Sequence, residues 1–239
     1  MSGHSKWATT HRQKAVVDAK RGAAFTKLGN MIAIAARGGT DPTTNSSLAL
    51  AIEKARAANM PNANIQRAID RINDKNAAAL EEAVYEGYGP GGVGIIIETA
   101  TDNKNRTYPE VRTALTKNGG TMADSGSVMF QFARKGVIRV AASGEEALLT
   151  VLDAGAEDAN EEENEIIVYT NQKDLAKVRQ SIIDAGLKVI EAELQYIANN
   201  EVEINDSEVA RKMIKLMDVL DEVDDIVNVY TNADITVEV

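Results

Sequence analysis

The fold of this chain is decided by residues 136–197, which read GVIRVAASGEEALLTVLDAGAEDANEEENEIIVYTNQKDLAKVRQSIIDAGLKVIEAELQYI. Short runs with β-branched residues predict strands at 137–141, 165–170 and 188–196, and a complete βαββαβ unit places a fourth strand at 156–160. Two segments with helical periodicity predict helices at 145–153 and 172–184. Each helix ends in the triplet Asp-Ala-Gly, where glycine suits a left-handed cap. The order of elements predicts a ferredoxin-like module.

The segments on either side of this module form a second, interrupted set of elements. Before it, the pattern predicts a strand at 93–99, a helix at about 108–118 and a strand at 126–132. After it, a helix is predicted at 206–220 and a strand at 226–230. The later helix and strand are the elements that the earlier set lacks to form a second βαββαβ unit. We therefore predict a discontinuous α+β domain made of 80–135 plus 200–239, with 136–199 inserted as a ferredoxin-like domain.

Residues 1–79 have a helical pattern instead. In the first predicted helix the apolar residues Phe25, Leu28 and Ile32 recur at helical spacing, and Gly38-Gly39 ends it. A second helix is predicted from about residue 46 to 59, and a third starts at Pro61, which suits the first turn. The sequence therefore predicts an α+β protein, in which an N-terminal three-helix domain is followed by two ferredoxin-like α/β modules, one inserted into the other.

Charge is distributed unevenly along the chain. Residues 1–78 carry 12 of the 26 basic residues but only 5 of the 36 acidic ones. The net charge of −10 therefore hides a basic N-terminal region attached to an acidic remainder. Since screening limits the reach of a charge to roughly 8–10 Å at physiological salt, the basic region can still face a phosphate backbone. This pattern indicates a part of the chain specialised for binding polyanions.

Several functional classes find little support in the composition. The chain has no cysteine, which excludes thiol chemistry, disulfides and cysteine-based zinc sites and is typical of a reducing compartment. No apolar run approaches the ~20 residues that cross a membrane, and the first residues do not resemble a signal peptide. We therefore expect a cytoplasmic protein without a membrane partner.

The chain also resembles a known family, through motifs that follow one another in the right order along most of its length. The matching residues are Gly3-His4-Ser5-Lys6-Trp7, Asp18-Ala19-Lys20-Arg21-Gly22, Phe25-Thr26-Lys27, Tyr85-Glu86-Gly87-Tyr88-Gly89-Pro90-Gly91-Gly92-Val93, Thr101-Asp102-Asn103, Asn105-Arg106-Thr107 and Gly126-Ser127-Val128. They resemble the YebC/PmpR family, which is described as probable transcriptional regulators and includes the mitochondrial translational activator of cytochrome c oxidase. The resemblance implies a three-domain protein that regulates by binding nucleic acid.

Cations, imidazoles and one indole supply the candidate contacts. Lysine and arginine neutralise phosphates, and aromatic rings can stack on exposed bases. We predict the following nucleic-acid-binding residues: His4, Lys6, His11, Arg12, Lys14, Lys20, Arg21, Lys27, Arg67 and Arg106. Trp7 is interpreted as a structural residue that packs the chain onto its first helix. Among these candidates Arg106 rests on the family motif alone.

Three functions are compatible with these residues. The first is a non-enzymatic, DNA-binding transcriptional regulator, and the second is a ribosome-associated translation factor that binds ribosomal RNA. The third, a small-ligand sensor, rests on fold analogy only. No catalytic residues, metal site, cofactor or small-molecule substrate is predicted, because His4 and His11 lack an acid–base partner nearby in sequence and no serine lies in a nucleophile elbow.

Other noticeable motifs have ordinary structural explanations. The glycine-rich run 87–92 lacks the Lys-Ser/Thr ending of a phosphate-binding loop and is interpreted as a tight turn. Asp102 and Asn103 are interpreted as the start of a helix, which Asn103 or Asn105 caps. The acidic residues between 157 and 165 are interpreted as a solvated hairpin, and those between 218 and 225 as a charged helix end.

Overall fold

The computed structural model describes residues 18–74 and 79–237. The chain divides into two compact units. One, called the main unit here, combines Met1–Phe132 with Ala198–Val239, and the other, called the inserted unit, is Ala133–Ile197. Their boundaries lie close to the predicted insertion at 136–199. The fold class is α+β, as predicted, with helices first and antiparallel sheets after them.

From Asp18, where the described residues start, the main unit has three α-helices before its first strand: α1 (Asp18–Ala36), α2 (Ser46–Ala57) and α3 (Asn62–Asp70). Leu28 and Ile32 of α1 pack in one core with Leu48 and Ile52 of α2 and with Ile65 of α3. Asn45 caps α2, since its side chain accepts a hydrogen bond from the Leu48 N–H. The three helices predicted for this region are thus confirmed.

The main unit continues with a four-stranded antiparallel sheet. Its elements are β1 (Glu81–Tyr88), β2 (Gly94–Thr101), α4 (Lys104–Lys117) and β3 (Thr121–Ala123), followed after the insertion by β8 (Val202–Ile204), α7 (Ser207–Asp221), β9 (Ile226–Thr231) and β10 (Ala233–Ile235). The sheet order is β3-β1-β2-β9, while β8 and β10 form a separate parallel pair. Helices α4 and α7 pack with Ile95 and Ile97 of β2 in the main core.

One strand of this sheet has no signal in the sequence, and one predicted strand is wrong. Strand β1 was not predicted, because its residues EEAVYEGY are polar and glycine-containing, yet it pairs with β2 along its whole length. The predicted strand at 126–132 is instead a turn followed by a 3-10 helix, Met129–Gln131, and Phe132 starts the next strand. The two central strands of the sheet are therefore β1 and β2, and both precede the segment at 126–132 in the chain.

The inserted unit has the predicted order of strands and helices. Strand β4 (Phe132–Val140), which enters it, is followed by α5 (Glu145–Asp153), β5 (Asp158–Glu162), β6 (Glu165–Asn171), α6 (Leu175–Asp184) and β7 (Val189–Ala198). The sheet order is β5-β6-β4-β7, in which the first and third strands are central, as in ferredoxin-like modules. Gly155 and Gly186 follow the two helices with positive φ angles, as the Asp-Ala-Gly triplets predict.

Candidate nucleic-acid interface

The predicted contact residues fall into three groups with respect to the structure. Five of them lie outside the described residues: His4, Lys6, His11, Arg12 and Lys14. Lys20 and Arg21 lie in the first turn of α1. The structure describes the side chains of Lys27, Arg67 and Arg106, and each of the three has a different environment.

Lys27 is tied to the end of another helix. Its Nζ donates a hydrogen bond to the backbone carbonyl oxygen of Asp221, the last residue of α7. The C-terminus of a helix carries partial negative charge, so this is a favourable place for a cation. Burial lowers the pKa of Lys27 from its usual 10.5, while the carboxylates of Asp221 and Asp224 oppose that shift. Lys27 thus connects α1 to the acidic segment that follows α7.

Two further cations of the helical region also serve the structure. Arg37 Nη1 donates to the carbonyl oxygen of Leu80 at 3.1 Å, at the entrance to β1. Arg71 Nη1 donates to the buried side chain of Asn30 at 3.2 Å. By contrast, Arg67 is exposed on α3, and its guanidinium makes no hydrogen bond or ion pair with the described parts of the chain. Of the three predicted contacts with described surroundings, Arg67 is therefore the one whose charged group is available to a ligand.

Arg106 belongs to a carboxylate network. Its Nη2 lies 2.9 Å from Oδ2 of Asp225 and 3.1 Å from Oδ1 of Asp102. Asp225 is buried and also accepts hydrogen bonds from Thr107 Oγ1 at 2.6 Å and Thr101 Oγ1 at 3.0 Å. Burial raises the pKa of Asp225, but these donors outweigh it and hold the pKa below its usual 3.8. The motif around Arg106 therefore connects α4, through Asp225, to the start of β9.

Asn103 begins α4 as predicted. Its side-chain oxygen accepts a hydrogen bond from the Arg106 N–H at 3.2 Å, and its own N–H donates to Thr101 Oγ1 at 2.9 Å. The asparagine therefore caps the helix, and the interpretation of this motif as a helix start is confirmed.

Glu86 organises the turn that precedes the insertion. This carboxylate is only 5% exposed and accepts backbone N–H groups from Gly126 at 2.6 Å, Val128 at 2.7 Å and Met129 at 2.8 Å. Burial raises the pKa of Glu86, but the three donors lower it by more, so that it lies below the usual 4.5. The Tyr88 hydroxyl adds a hydrogen bond to the Ser127 carbonyl at 3.0 Å. The Gly-Ser-Val motif is thus a backbone cradle for a carboxylate of the same chain.

The turn exposes an aromatic residue that the sequence does not reveal. Val128 and Phe132 are buried, at 0% and 7% exposure, whereas Phe130 between them is 73% exposed. In the strand predicted for this segment, all three side chains would share one face. The 3-10 helix turns Phe130 outward instead. No sequence signal identifies this exposed ring, because the strand predicted for this segment places Phe130 on the same face as Val128 and Phe132.

A polar cavity of about 630 Å³ lies beside the Arg106 network. Its lining includes Arg71, Arg106, Asp102, Glu110 and Asp224 among other residues. Carboxylates outnumber cations there, so the cavity is unsuited to a phosphate group. Among the described residues no group of His, Cys, Asp and Glu side chains is arranged to hold a metal ion. No helix within residues 18–74 and 79–237 has the length and hydropathy needed to span a membrane.

Comparisons with known proteins cover nearly the whole chain. A family model described as "TACO1/YebC protein N-terminal domain" matches residues 5–75, and one described as "TACO1/YebC second and third domain" matches residues 80–233. A protein of Roseiflexus castenholzii, named "Probable transcriptional regulatory protein", is 49% identical over 100% of this chain and 97% of its own length. A protein of Salinispora arenicola with the same name is 48% identical over 100% and 98%, respectively.

A solved structure agrees with the fold described here. The crystal structure of a conserved hypothetical protein from Aquifex aeolicus superposes with a TM-score of 0.87 at 41% sequence identity. The alignment covers 95% of this chain and 96% of that one.

Proposed function

Because the chain belongs to the TACO1/YebC family, we propose that it is a non-enzymatic regulatory protein that acts by binding nucleic acid. The relatives named probable transcriptional regulatory proteins support the regulatory role. The observation that most supports nucleic acid as the ligand is the uneven distribution of charge, because the surplus of basic residues is confined to residues 1–78. The lack of cysteine suits a reducing cytoplasm, where we expect the protein to act.

Within this proposal the N-terminal helical domain supplies the phosphate contacts. The predicted contacts within residues 1–21 include Lys6, Arg12, Lys14, Lys20 and Arg21, and Arg67 adds an exposed guanidinium on α3. Lysine and arginine that neutralise phosphates release counterions, which gives affinity without sequence specificity. The acidic remainder of the chain repels the same backbone and so confines the phosphate contacts to the helical domain.

Duplex DNA is the first candidate ligand, in keeping with the names of the relatives. Structured RNA, such as that of the ribosome, is the second candidate. It is favoured by the exposed ring of Phe130, since an aromatic side chain can stack on an unpaired base but not on a base inside an intact duplex.

A competition experiment separates these ligands. Labelled duplex DNA, with random or promoter-like sequence, competes with purified ribosomes for the full-length protein at about 150 mM salt, where loose phosphate contacts are largely screened. Retention on a particular duplex supports DNA-binding regulation. Loss of DNA with persistent ribosome association supports a translation factor, and binding to neither ligand contradicts the proposal.

A further inference from the structure

Lys27 is a predicted phosphate contact whose side chain is already engaged by an acidic part of the same chain. Its Nζ donates a hydrogen bond to the backbone carbonyl oxygen of Asp221, at the C-terminus of α7. Carbonyl oxygens at a helix C-terminus carry partial negative charge, so they attract a lysine as a phosphate oxygen does. The protein therefore offers Lys27, from its own chain, the kind of group that nucleic acid would offer.

The acidic segment beside this lysine is residues 221–225, which read DEVDD. Asp225 is buried and belongs to the threonine and arginine network described above. Asp221 and Asp224 are exposed, and both carboxylates attract Lys27 electrostatically. Because a carboxylate has the same sign of charge as a phosphate, these two groups compete with nucleic acid for the lysine.

The position of Lys27 on α1 places this contact in line with another predicted phosphate contact. Lys20 precedes it by seven residues, close to two helical turns, so the two positions lie on the same side of α1. A phosphate backbone that follows this side of the helix from Lys20 meets residues 221–225 at Lys27. It can reach Lys27 only by replacing the carbonyl oxygen and the carboxylates that surround it.

The contact can open without loss of packing in either hydrophobic core of the main unit. Leu28 of α1 belongs to the core that the three N-terminal helices form, whereas Leu220 of α7 belongs to the core beneath the sheet. The polar cavity of about 630 Å³ is lined both by Thr26 and Asn30 of α1 and by residues 222–225. The boundary between α1 and this segment is therefore open and polar there, which suits a contact that opens.

We propose that residues 221–225 form an autoinhibitory contact, which holds Lys27 until nucleic acid displaces it. This inference rests on the proposed function and adds a means of setting its affinity. Opening the contact lowers the affinity for every polyanion. A ligand recovers that loss, by contacting Lys27, only when other cations of the helical domain already hold it. The contact thus selects against ligands that touch α1 at a single point.

The test is a double-mutant cycle in the full-length protein. Asp221→Asn with Asp224→Asn removes two charges and weakens the contact, although the carbonyl oxygen remains. Lys27→Met removes the ammonium group and keeps an apolar stem, and Lys27→Gln replaces it if thermal unfolding shows that the methionine variant does not fold. Glu145→Gln with Glu146→Gln, at two exposed positions of α5, is the control with the same change in net charge.

Affinity for a labelled duplex DNA and for a labelled RNA hairpin is measured by anisotropy at about 150 mM salt, where charges act over roughly 8 Å. We expect Asp221→Asn with Asp224→Asn to bind about 2- to 30-fold more tightly than wild type, which corresponds to two exposed ion pairs. The control should bind like wild type. In the absence of the Lys27 ammonium group, loss of the two carboxylates should change the affinity no more than the control does.

Two results would overturn the inference and leave the proposed function intact. One is equal affinity of the control and of Asp221→Asn with Asp224→Asn. The other is a gain in affinity that persists when Lys27 is replaced, since the carboxylates would then act on the ligand and not through the lysine. If the wild type binds neither probe, the proposed function itself fails.

Discussion

Replacement of Glu86 by glutamine is expected to destabilise the main unit, because it disturbs the turn that carries Phe130. In the native protein one carboxylate accepts three backbone N–H groups while only 5% exposed. Glutamine keeps the shape of the side chain but offers a single acceptor oxygen and an NH₂ group. That NH₂ group would face the N–H of Gly126 or those of Val128 and Met129, and two donors cannot pair.

The magnitude follows from the number of bonds. A hydrogen bond to a charged group contributes about 1.5–3 kcal/mol, compared with about 1 kcal/mol for a neutral pair, and an unpaired buried donor costs about 1–3 kcal/mol. Two weakened bonds and one unpaired N–H therefore give a loss of about 2–7 kcal/mol in the free energy of unfolding. Glu82→Gln is the matched control, since Glu82 lies on the same strand and is exposed.

The effect should depend on pH. The pKa of Glu86 is lower in the folded protein than its usual 4.5, so its carboxylate stabilises the fold above that pH and loses this contribution as pH falls through the folded value. Chemical denaturation followed by circular dichroism should therefore show the full difference between wild type and Glu86→Gln at pH 7. The difference should shrink below about pH 5.

Hydrogen exchange provides a local check of the same reasoning. The amides of Gly126, Val128 and Met129 should exchange faster in Glu86→Gln than in Glu82→Gln. If the two variants are equally stable at pH 7, or if the difference persists unchanged to low pH, the carboxylate does not organise this turn.

Two further predictions concern the architecture. Asp225→Asn removes the charge that binds Arg106 and two threonine hydroxyls. We therefore expect the free energy of unfolding, measured by thermal or chemical denaturation, to fall by about 2–4 kcal/mol. The exposed Asp124→Asn is the control and should change it negligibly. An unchanged melting temperature would refute the role of that network. Residues 132–198, expressed alone, contain four paired strands and two helices and should unfold cooperatively; a product without a cooperative transition would argue against an independent domain.

The parts of the fold that could be predicted from sequence are those whose signals are local. The inserted unit has β-branched residues in three of its four strands and glycine after each helix, so its order of elements can be predicted. Strand β1 has no such signal, because its position depends on pairing with the isoleucine-rich β2. The turn at 126–131 was mistaken for a strand because the carboxylate that captures its N–H groups lies some 40 residues earlier in the chain.

The same limit applies to the candidate interface. Sequence identifies a surplus of cations in residues 1–78 but not which of them are engaged within the protein. Lys27 contacts a carbonyl 194 residues away, and Arg106 contacts a carboxylate 119 residues away. Those partners become visible only once the chain is folded. Arg67 retains the exposure that the prediction requires.

The central claim, that cations of the N-terminal helical domain bind nucleic acid, is tested most directly by the salt dependence of binding. The variant Lys14→Glu, Lys20→Glu, Arg21→Glu is compared with a control that reverses the same number of exposed charges elsewhere, Lys173→Glu, Lys177→Glu, Arg211→Glu. Each lost phosphate contact flattens the slope of log K against log salt by about 0.7–0.9. We expect the first variant to bind weakly with a slope flatter by about two to three units, and the control to match wild type. Equal slopes for the two variants would contradict the claim.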